Sequence, residues 1–336
     1  MTASGAPGTA ALVGALRENG ERDLRVVGTD MAELSIGRHL CDAFHTTPAG
    51  TDSGFAGALI DICAREGVDA VIPQSSYDLQ ALAEAKERFG ETHVLVSSPD
   101  AVSRSNDKAE TYALLDEIGV RGPRWRRARG GGETAEAARD LGYPDQDVAF
   151  KPLVSSGSRG FRVVSASADR RRQLFENRPG VAEAVRLEEL VELLADDTSE
   201  VLVMELATGP ERTIDGIAGG GRIVLGHPKT REAMRAGLAM YFQTLDDPVL
   251  METAAKIAAE LSLEHFFNIQ LVGDAVIEIN PRISTIVYQE DLNLPYLGVK
   301  HALGEIADDE LAAYAERVRP TRRALRYFDQ VEWDSG

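Results

Sequence analysis

The chain has 336 residues, 43% of them hydrophobic, and a formal net charge of -18, so it is long enough for two or three domains with cores of their own. The acidic balance argues against non-specific binding to nucleic acid or anionic membrane, and an anionic ligand must be captured by clustered cations, since charges are screened beyond roughly 8–10 Å. No apolar run approaches the ~20 residues of a membrane span, the start MTASGAPGTAALV lacks a signal peptide's basic flank, and Cys41 and Cys63 give neither a disulfide framework nor metal spacing, so a cytoplasmic protein is expected.

Residues 9–19 carry an apolar helix pattern, 24–30 (LRVVGTD) a buried strand, and 55–66 a second helix. A strand at 68–73, a helix at 79–89 and a strand at 93–97 follow. Alternation of this kind predicts a doubly wound parallel sheet. The turn Gly5-Ala-Pro-Gly8, with Asp30 ending the next strand, fits dinucleotide binding poorly, because the fingerprint wants glycine where Pro7 and Ala10 stand. The strand that should precede this turn has only residues 1–4 to draw on. Either that strand is very short or the true start lies upstream of Met1.

Ser105 or Asn106 can cap a helix ending near Gly119, with Lys108 in its first turn. A cation there opposes the helix dipole, which favours a ligand-binding role over a stabilising one. An arginine-rich stretch (Arg121 to Arg129) reads as a solvated face. In AFKPLVSSGSRGFRVV, residues 149–164, Lys151 closes a strand. Ser155-Ser-Gly-Ser-Arg-Gly160 then makes a glycine-containing turn before the next strand. Such a turn can lay backbone N–H groups over phosphates, or it can be a plain β-turn.

Residues 201–206 (VLVMEL) read as a strand, and in 211–218 Glu211, Thr213 and Asp215 alternate onto one face. Residues 222–226 return as the partner strand and lead into His227-Pro-Lys-Thr-Arg231 and then Arg235, three cations within seven residues. Asp247-Pro248 caps an amphipathic helix, residues 293–304 look helical, and a closing strand is expected near 325–328. Between them, 267–284 (FNIQLVGDAVIEINPRIS) places two apolar runs around Gly273-Asp274, a hairpin signal. Glu278 and Asn280 share one face of the second run, and Ala275, Ile277 and Ile279 take the other. A strict two-residue loop would turn Gln270 away from Glu278, whereas a three-residue loop or a bulge pairs them. The odd loop is expected, although an ordinary hairpin with a polar outer face would carry the same residues.

These stretches, in this order, resemble the ATP-grasp superfamily, most closely its carbamoyl-phosphate-synthetase-like branch. The resemblance rests on IPQSSYDL (72–79), NDK (106–108), FKP with the GSRG loop, VMEL, GPERTID, and NIQ with EINPR, and it covers nearly the whole chain. It implies an α/β (α+β overall) chain with a Rossmann-like domain at 1–104. A two-part grasp fold follows, with a lid at 105–206 and a C-terminal part at 207–336.

By position, the resemblance assigns Lys108 and Lys151 to the ATP phosphates and Ser156, Gly157, Ser158 and Gly160 to a flap over them. Met204, Glu205 and Leu206 fall on the adenine hinge, and Glu211 on the ribose hydroxyls. Gln270, Glu278 and Asn280 match magnesium ligands, two ions with manganese as a possible substitute. Arg282 matches the cation beside the transferred phosphoryl, with Lys229 and Arg231 as further catalytic cations. Asp215, Arg235, Tyr288 and Glu290 are the candidate substrate contacts, and His227 lies near the site.

The implied partners are ATP and a small carboxylate and amine, with no nucleic acid or membrane and with a homodimer as the candidate assembly. The implied reaction is a carboxylate–amine ligation on an amino acid or small peptide through an acyl phosphate. Thr285 stands where carbamoyl-phosphate synthetases usually carry a second arginine, which speaks against carbamoyl phosphate as product. A small-acid kinase and a non-catalytic nucleotide-binding protein are the alternatives.

Overall fold

The computed structural model describes residues 1–153, 160–176, 184–235, 238–284 and 291–334. Its first hundred residues carry the expected βα alternation, but on two short parallel pairs rather than on one long hydrogen-bonded sheet. β1 (Val27–Asp30) runs parallel to β2 (Ala43–Thr46), and β3 (Ala70–Val71) parallel to β4 (His93–Val94). Residues 1–4 lie between the pairs and join them. On one side the Thr29 and Ser4 N–H groups donate to the Met1 and Thr29 carbonyls, and on the other the Thr2 N–H donates to Ile72. The helices Thr9–Arg17, Phe55–Glu66 and Leu79–Ala85 bury Leu12, Leu59 and Leu82 against this layer.

Lys108 opens the helix Lys108–Glu117, but its cap is Asp107, whose side chain accepts from the Ala109 and Glu110 N–H groups. Ser105 and Asn106 instead end the preceding helix Pro99–Asn106. A five-stranded sheet follows, made of β5 (Trp125–Arg129), β6 (Val148–Pro152), β7 (Arg162–Val164), β8 (Ala184–Val185) and β9 (Glu200–Glu205), in the order β5-β9-β6-β7-β8.

β10 (Glu211–Gly219), β11 (Arg222–Thr230), β13 (His265–Val272) and β14 (Ala275–Asn280) form an antiparallel sheet in the order β11-β10-β13-β14. β12 (Tyr241–Gln243) pairs with β15 (Arg323–Leu325), which puts the closing strand slightly earlier than expected. Asp247 caps the helix Pro248–Glu260, with proline at its first position as expected.

Two apolar clusters hold the layers together. In one, Tyr112, Leu114 and Leu115 meet Ala149 and Met204 of the five-stranded sheet, and Ile269, Val276 and Ile279 of the four-stranded one. In the other, Leu12, Val13 and Leu16 meet Phe266, Leu294 and Leu297, seating the N-terminal layer on the C-terminal part. Within the C-terminal part the helix Leu294–Ala302 packs closely on β13, since a Cβ at Gly298 would lie 2.2 Å from the Phe266 ring. Among the described residues no helix is long and apolar enough to cross a membrane.

Candidate active site

The β13–β14 hairpin turns through Gly273-Asp274, with Val272 opposite Ala275, so its loop has two residues and not the odd number expected. Gln270 still faces Glu278. Val276 lies opposite Leu271 and Glu278 opposite Gln270, which leaves Ile277 as the extra residue of a bulge. The bulge is held from outside the hairpin, where the Val276 N–H donates to the Arg121 carbonyl at 2.9 Å. It also corrects the expected facing, because Val276 is buried in the core and Ile277 turns into the cleft. Glycine is required in the turn: φ is 59° at Gly273, and a Cβ there would stand 2.6 Å from the Thr208 carbonyl oxygen.

Strand pairing spreads polar side chains over one face of this sheet. Thr213 of β10 pairs with Lys229 on one side and with Gln270 on the other, and Gln270 pairs with Glu278. One step along, Asp215 pairs with His227 and with Asn268, and Asn268 pairs with Asn280. Alternation sets the grid along β10, β11 and β13, since every second residue of a strand shares a face, and the Ile277 bulge brings Glu278 and Asn280 of β14 into line with it.

The grid floors a cavity of about 710 Å³ whose lining includes Glu211, Arg231, Asn268, Gln270, Glu278 and Arg282. Ala149, Met204, Leu206 and Ile277 supply an apolar side, and the N-terminal layer closes one end with Asp30 and residues 74–77. Another recess, of about 800 Å³, is lined by Asp246, Asp247, Glu252 and Glu316 and by no lysine or arginine, which makes it repellent to a polyphosphate.

Two lysines enter the cavity beside Glu278. Lys108 is buried with its Nζ 4.0 Å from Glu278 Oε1, and burial lowers its pKa. Lys151 is also buried, and its Nζ donates to the Tyr112 hydroxyl at 3.2 Å. That hydroxyl donates in turn to the Ile277 carbonyl at 3.0 Å. Burial, and after it the nearby Lys108, bring the Lys151 pKa down to about 7, against the opposing pull of Glu278. A polyanion placed here would relieve the repulsion between the ammonium groups.

Arg282 reaches the cavity held at three points. Its Nε donates to Ser76 Oγ at 3.1 Å, one terminal nitrogen to the Ile283 carbonyl at 3.0 Å, and the other to Asn280 Oδ1 at 3.3 Å. Arg231 donates to Gln270 Oε1 and lies 3.4 Å from Glu211.

Several expected site residues lie elsewhere. Lys229 and Asp215 are sealed beneath the floor, with Nζ 2.8 Å from Oδ2 and side-chain exposures of 0% and 1%, so neither is on the cavity surface where a catalytic or substrate contact was expected. His227 is buried behind them, and burial together with Lys229 holds its pKa well below the usual value. Arg235 stacks over the Phe328 ring at 4.8 Å and does not line the cavity, against the expected substrate contact. The Glu205 side chain points to Arg121 and Arg124, which leaves only its backbone for the hinge role. Asn280 is buried behind the lining and reaches the site through Arg282. Gly160, at φ 72°, sits against Pro152. Ser156, Gly157, Ser158, Tyr288 and Glu290 fall outside the described residues.

Asn268, Tyr112 and Ser76 were not singled out by the sequence reading. Asn268 had a visible signal, lying two residues before Gln270 in NIQ and therefore on the same strand face.

The donor set fits a hard divalent cation. Glu278 with the amide oxygens of Gln270 and Asn280 is all oxygen, the chemistry magnesium takes. Among the described residues no three His, Cys, Asp or Glu side chains gather as a metal site.

The fold is an ATP-grasp fold with an N-terminal α/β domain ahead of the grasp. Residues 197–324 match the family model described as ATP-grasp in the biosynthetic pathway with Ter operon, and residues 6–97 match the PylC-like N-terminal domain. The chain is 26% identical over 280 residues to the arginine-specific large chain of carbamoyl phosphate synthase from Bacillus subtilis, covering 78% of this chain but only 24% of that protein. Its fold is similar to that of an L-amino acid ligase from Bacillus licheniformis, with a TM-score of 0.64 at 16% identity over 93% of this chain and 76% of that one. It is similar also to the biotin carboxylase domain of 2-oxoglutarate carboxylase from Hydrogenobacter thermophilus, solved as a dimer with MgADP, ADP and bicarbonate. There the TM-score is 0.67 at 16% identity over 96% of this chain and 72% of the other.

Proposed function

We propose that the chain is an ATP-dependent carboxylate–amine ligase that forms an amide or peptide bond on an amino acid or small peptide and releases ADP and phosphate. The observation that carries this reading is the convergence of Lys108, Lys151, Glu278 and Arg282 on one cavity that also has an apolar side. The adenine would lie against Met204, Leu206 and Ile277, with Glu211 positioned for the ribose hydroxyls. Lys108 and Lys151 would hold the phosphates, and Arg282 would orient the carboxylate for attack on the γ-phosphorus. That attack breaks the β–γ bridging P–O bond and releases ADP. The amine then attacks the acyl carbon, loses a proton, and phosphate departs with its oxygen.

Glu278, Gln270 and Asn280 would hold magnesium, which supplies charge neutralisation at the transferring phosphoryl group. We assign residues 1–104, 105–206 and 207–336 as the three units that surround the cleft, and a homodimer as the assembly to test. The chemistry needs no covalent nucleophile, so the lysines and Arg282 act by position and charge.

The test is ADP release in magnesium with paired amino acids. Release that needs carboxylate and amine together supports the ligase, and AMP with pyrophosphate as products overturns it. The carbamoyl-phosphate-type reading is favoured by the Bacillus subtilis relative. Bicarbonate-dependent ADP release without an organic carboxylate would support it.

A further inference from the structure

The floor of the cleft contains a chain of hydrogen bonds whose direction is set at its buried end. The Thr213 hydroxyl donates to the Ile269 carbonyl at 3.1 Å, which leaves its oxygen lone pairs to accept from Asn268 Nδ2. The same Nδ2 donates to Asp215 Oδ1 at 2.9 Å, and Asp215 Oδ2 faces Lys229 Nζ at 2.8 Å. Both hydrogens of the Asn268 amide are therefore used at this end.

Its Oδ1 must point the other way, and there it accepts from Gln270 Nε2 at 2.9 Å and from Asn280 Nδ2 at 3.2 Å. An amide that turns its nitrogen inward presents its oxygen outward. Those two outward oxygens accept from Arg231 and Arg282 respectively.

We infer that Asn268 is a positioning residue that fixes the polarity of the Gln270 and Asn280 amides, and that Arg231 and Arg282 compete with a divalent cation for the two amide oxygens so presented. This rests on the metal assignment proposed above. The network gives the competition a consequence. A guanidinium displaced from an amide oxygen still points into the cavity, or into its floor, with donors to offer an anion, so cation binding and capture of an anionic substrate favour one another. The buried Asp215–Lys229 pair, sealed beneath the floor, sets the direction of the whole chain.

The two halves of the inference predict opposite signs in one measurement, Mn²⁺ binding with ADP followed by the loss of the free-ion electron spin resonance signal. Asn268→Leu should weaken Mn²⁺ binding by about 10–100-fold, the usual cost of losing a partner that orients metal ligands. ADP binding without metal should weaken far less than Mn²⁺ binding does. Arg231→Met, which removes a competitor and a positive charge, should tighten Mn²⁺ binding. General destabilisation cannot produce both results. Should Asn268→Leu fail to give a cooperative thermal transition, Thr213→Val, which removes one anchor at nearly constant volume, takes its place with a several-fold weakening expected. Wild-type affinity in Asn268→Leu, or in Thr213→Val where that stands in, overturns the positioning role. Unchanged or weaker binding in Arg231→Met overturns the competition. A wild-type protein that binds ADP but no Mn²⁺ overturns the metal assignment itself.

Discussion

The wall of the cleft built by β6, β9 and the residues after it lines the cavity with Ala149, Met204 and Leu206, whereas the floor built by β10, β13 and β14 lines it with Glu211, Asn268, Gln270 and Glu278. Met204 and Ala149 belong to an apolar cluster shared with Tyr112 and Leu202, and their contribution is area and shape. On the floor each amide has a set direction, because Asn268 is bonded on both sides. Apolar contacts are non-directional and scale with area, so the wall should tolerate a change of side chain that roughly keeps volume. A hydrogen-bonded floor fails when one polarity is reversed, since a buried donor or acceptor left without a partner costs its full desolvation.

The sharpest way to break that contrast is to change charge on the floor while keeping shape. Glu278→Gln should lower turnover by about 10²–10³-fold, the cost seen when one preorganised electrostatic contact is lost. The thermal midpoint should stay near that of the wild type. A variant that keeps more than a tenth of wild-type turnover would show that the floor does not work through Glu278. The wall should respond the other way. Met204→Ala should cost about 2–5 kcal/mol in denaturant unfolding, because Met204 is buried and its removal leaves a cavity. Its kinetic effect should be a several-fold rise in KM for ATP with little change in kcat, the signature of uniform binding lost.

What could be read from the sequence divides along the same line. The apolar elements were legible, because hydrophobic periodicity marks a helix at 55–66 and a strand at 148–152 without reference to anything distant. The register of the hairpin was not, because it turns on one extra residue. The Ile277 bulge is fixed by a hydrogen bond from Val276 to Arg121, more than 150 positions away, which no local pattern reports. Depth was equally hidden. Lys229, Arg231 and Arg235 are spaced as one cluster of cations, yet the fold seals Lys229 on Asp215, with its Nζ 5.1 Å from the Phe242 ring centre, brings Arg231 to the cavity, and sends Arg235 to Phe328. Alternation gives the face of a strand residue, and only the neighbouring layer decides whether that face is wet.

A smaller effect sharpens the contrast at the junction between wall and floor. Lys151 closes β6 of the wall but faces the floor's Glu278, and its pKa of about 7 is set chiefly by burial. Phosphates bound beside it favour the charged form, so its pKa should rise on nucleotide binding. At pH 8, above the free value, binding should take up as much as one proton, and at pH 6, where the lysine is already charged, much less. Calorimetric titration of ADP in buffers of different ionisation enthalpy reads this directly. Proton release at pH 8, or an uptake that persists in Lys151→Met, would remove Lys151 from the phosphate site.

Arg235 should give the smallest effect. Its guanidinium lies 4.8 Å from the Phe328 ring centre at an exposed position, where a cation–π contact contributes about 0.5–1 kcal/mol. Arg235→Ala should lower stability by no more than that and leave kcat and both substrate KM values within about twofold, because the side chain is not part of the cavity lining. Phe328→Leu removes the aromatic face from the other side of the contact, and the double variant should be no less stable than the less stable single one. A tenfold rise in KM for one substrate in Arg235→Ala, with Phe328→Leu unaffected, would mean that the guanidinium leaves the ring for the ligand during turnover. Arg235 would then join the floor as a residue that moves between two partners.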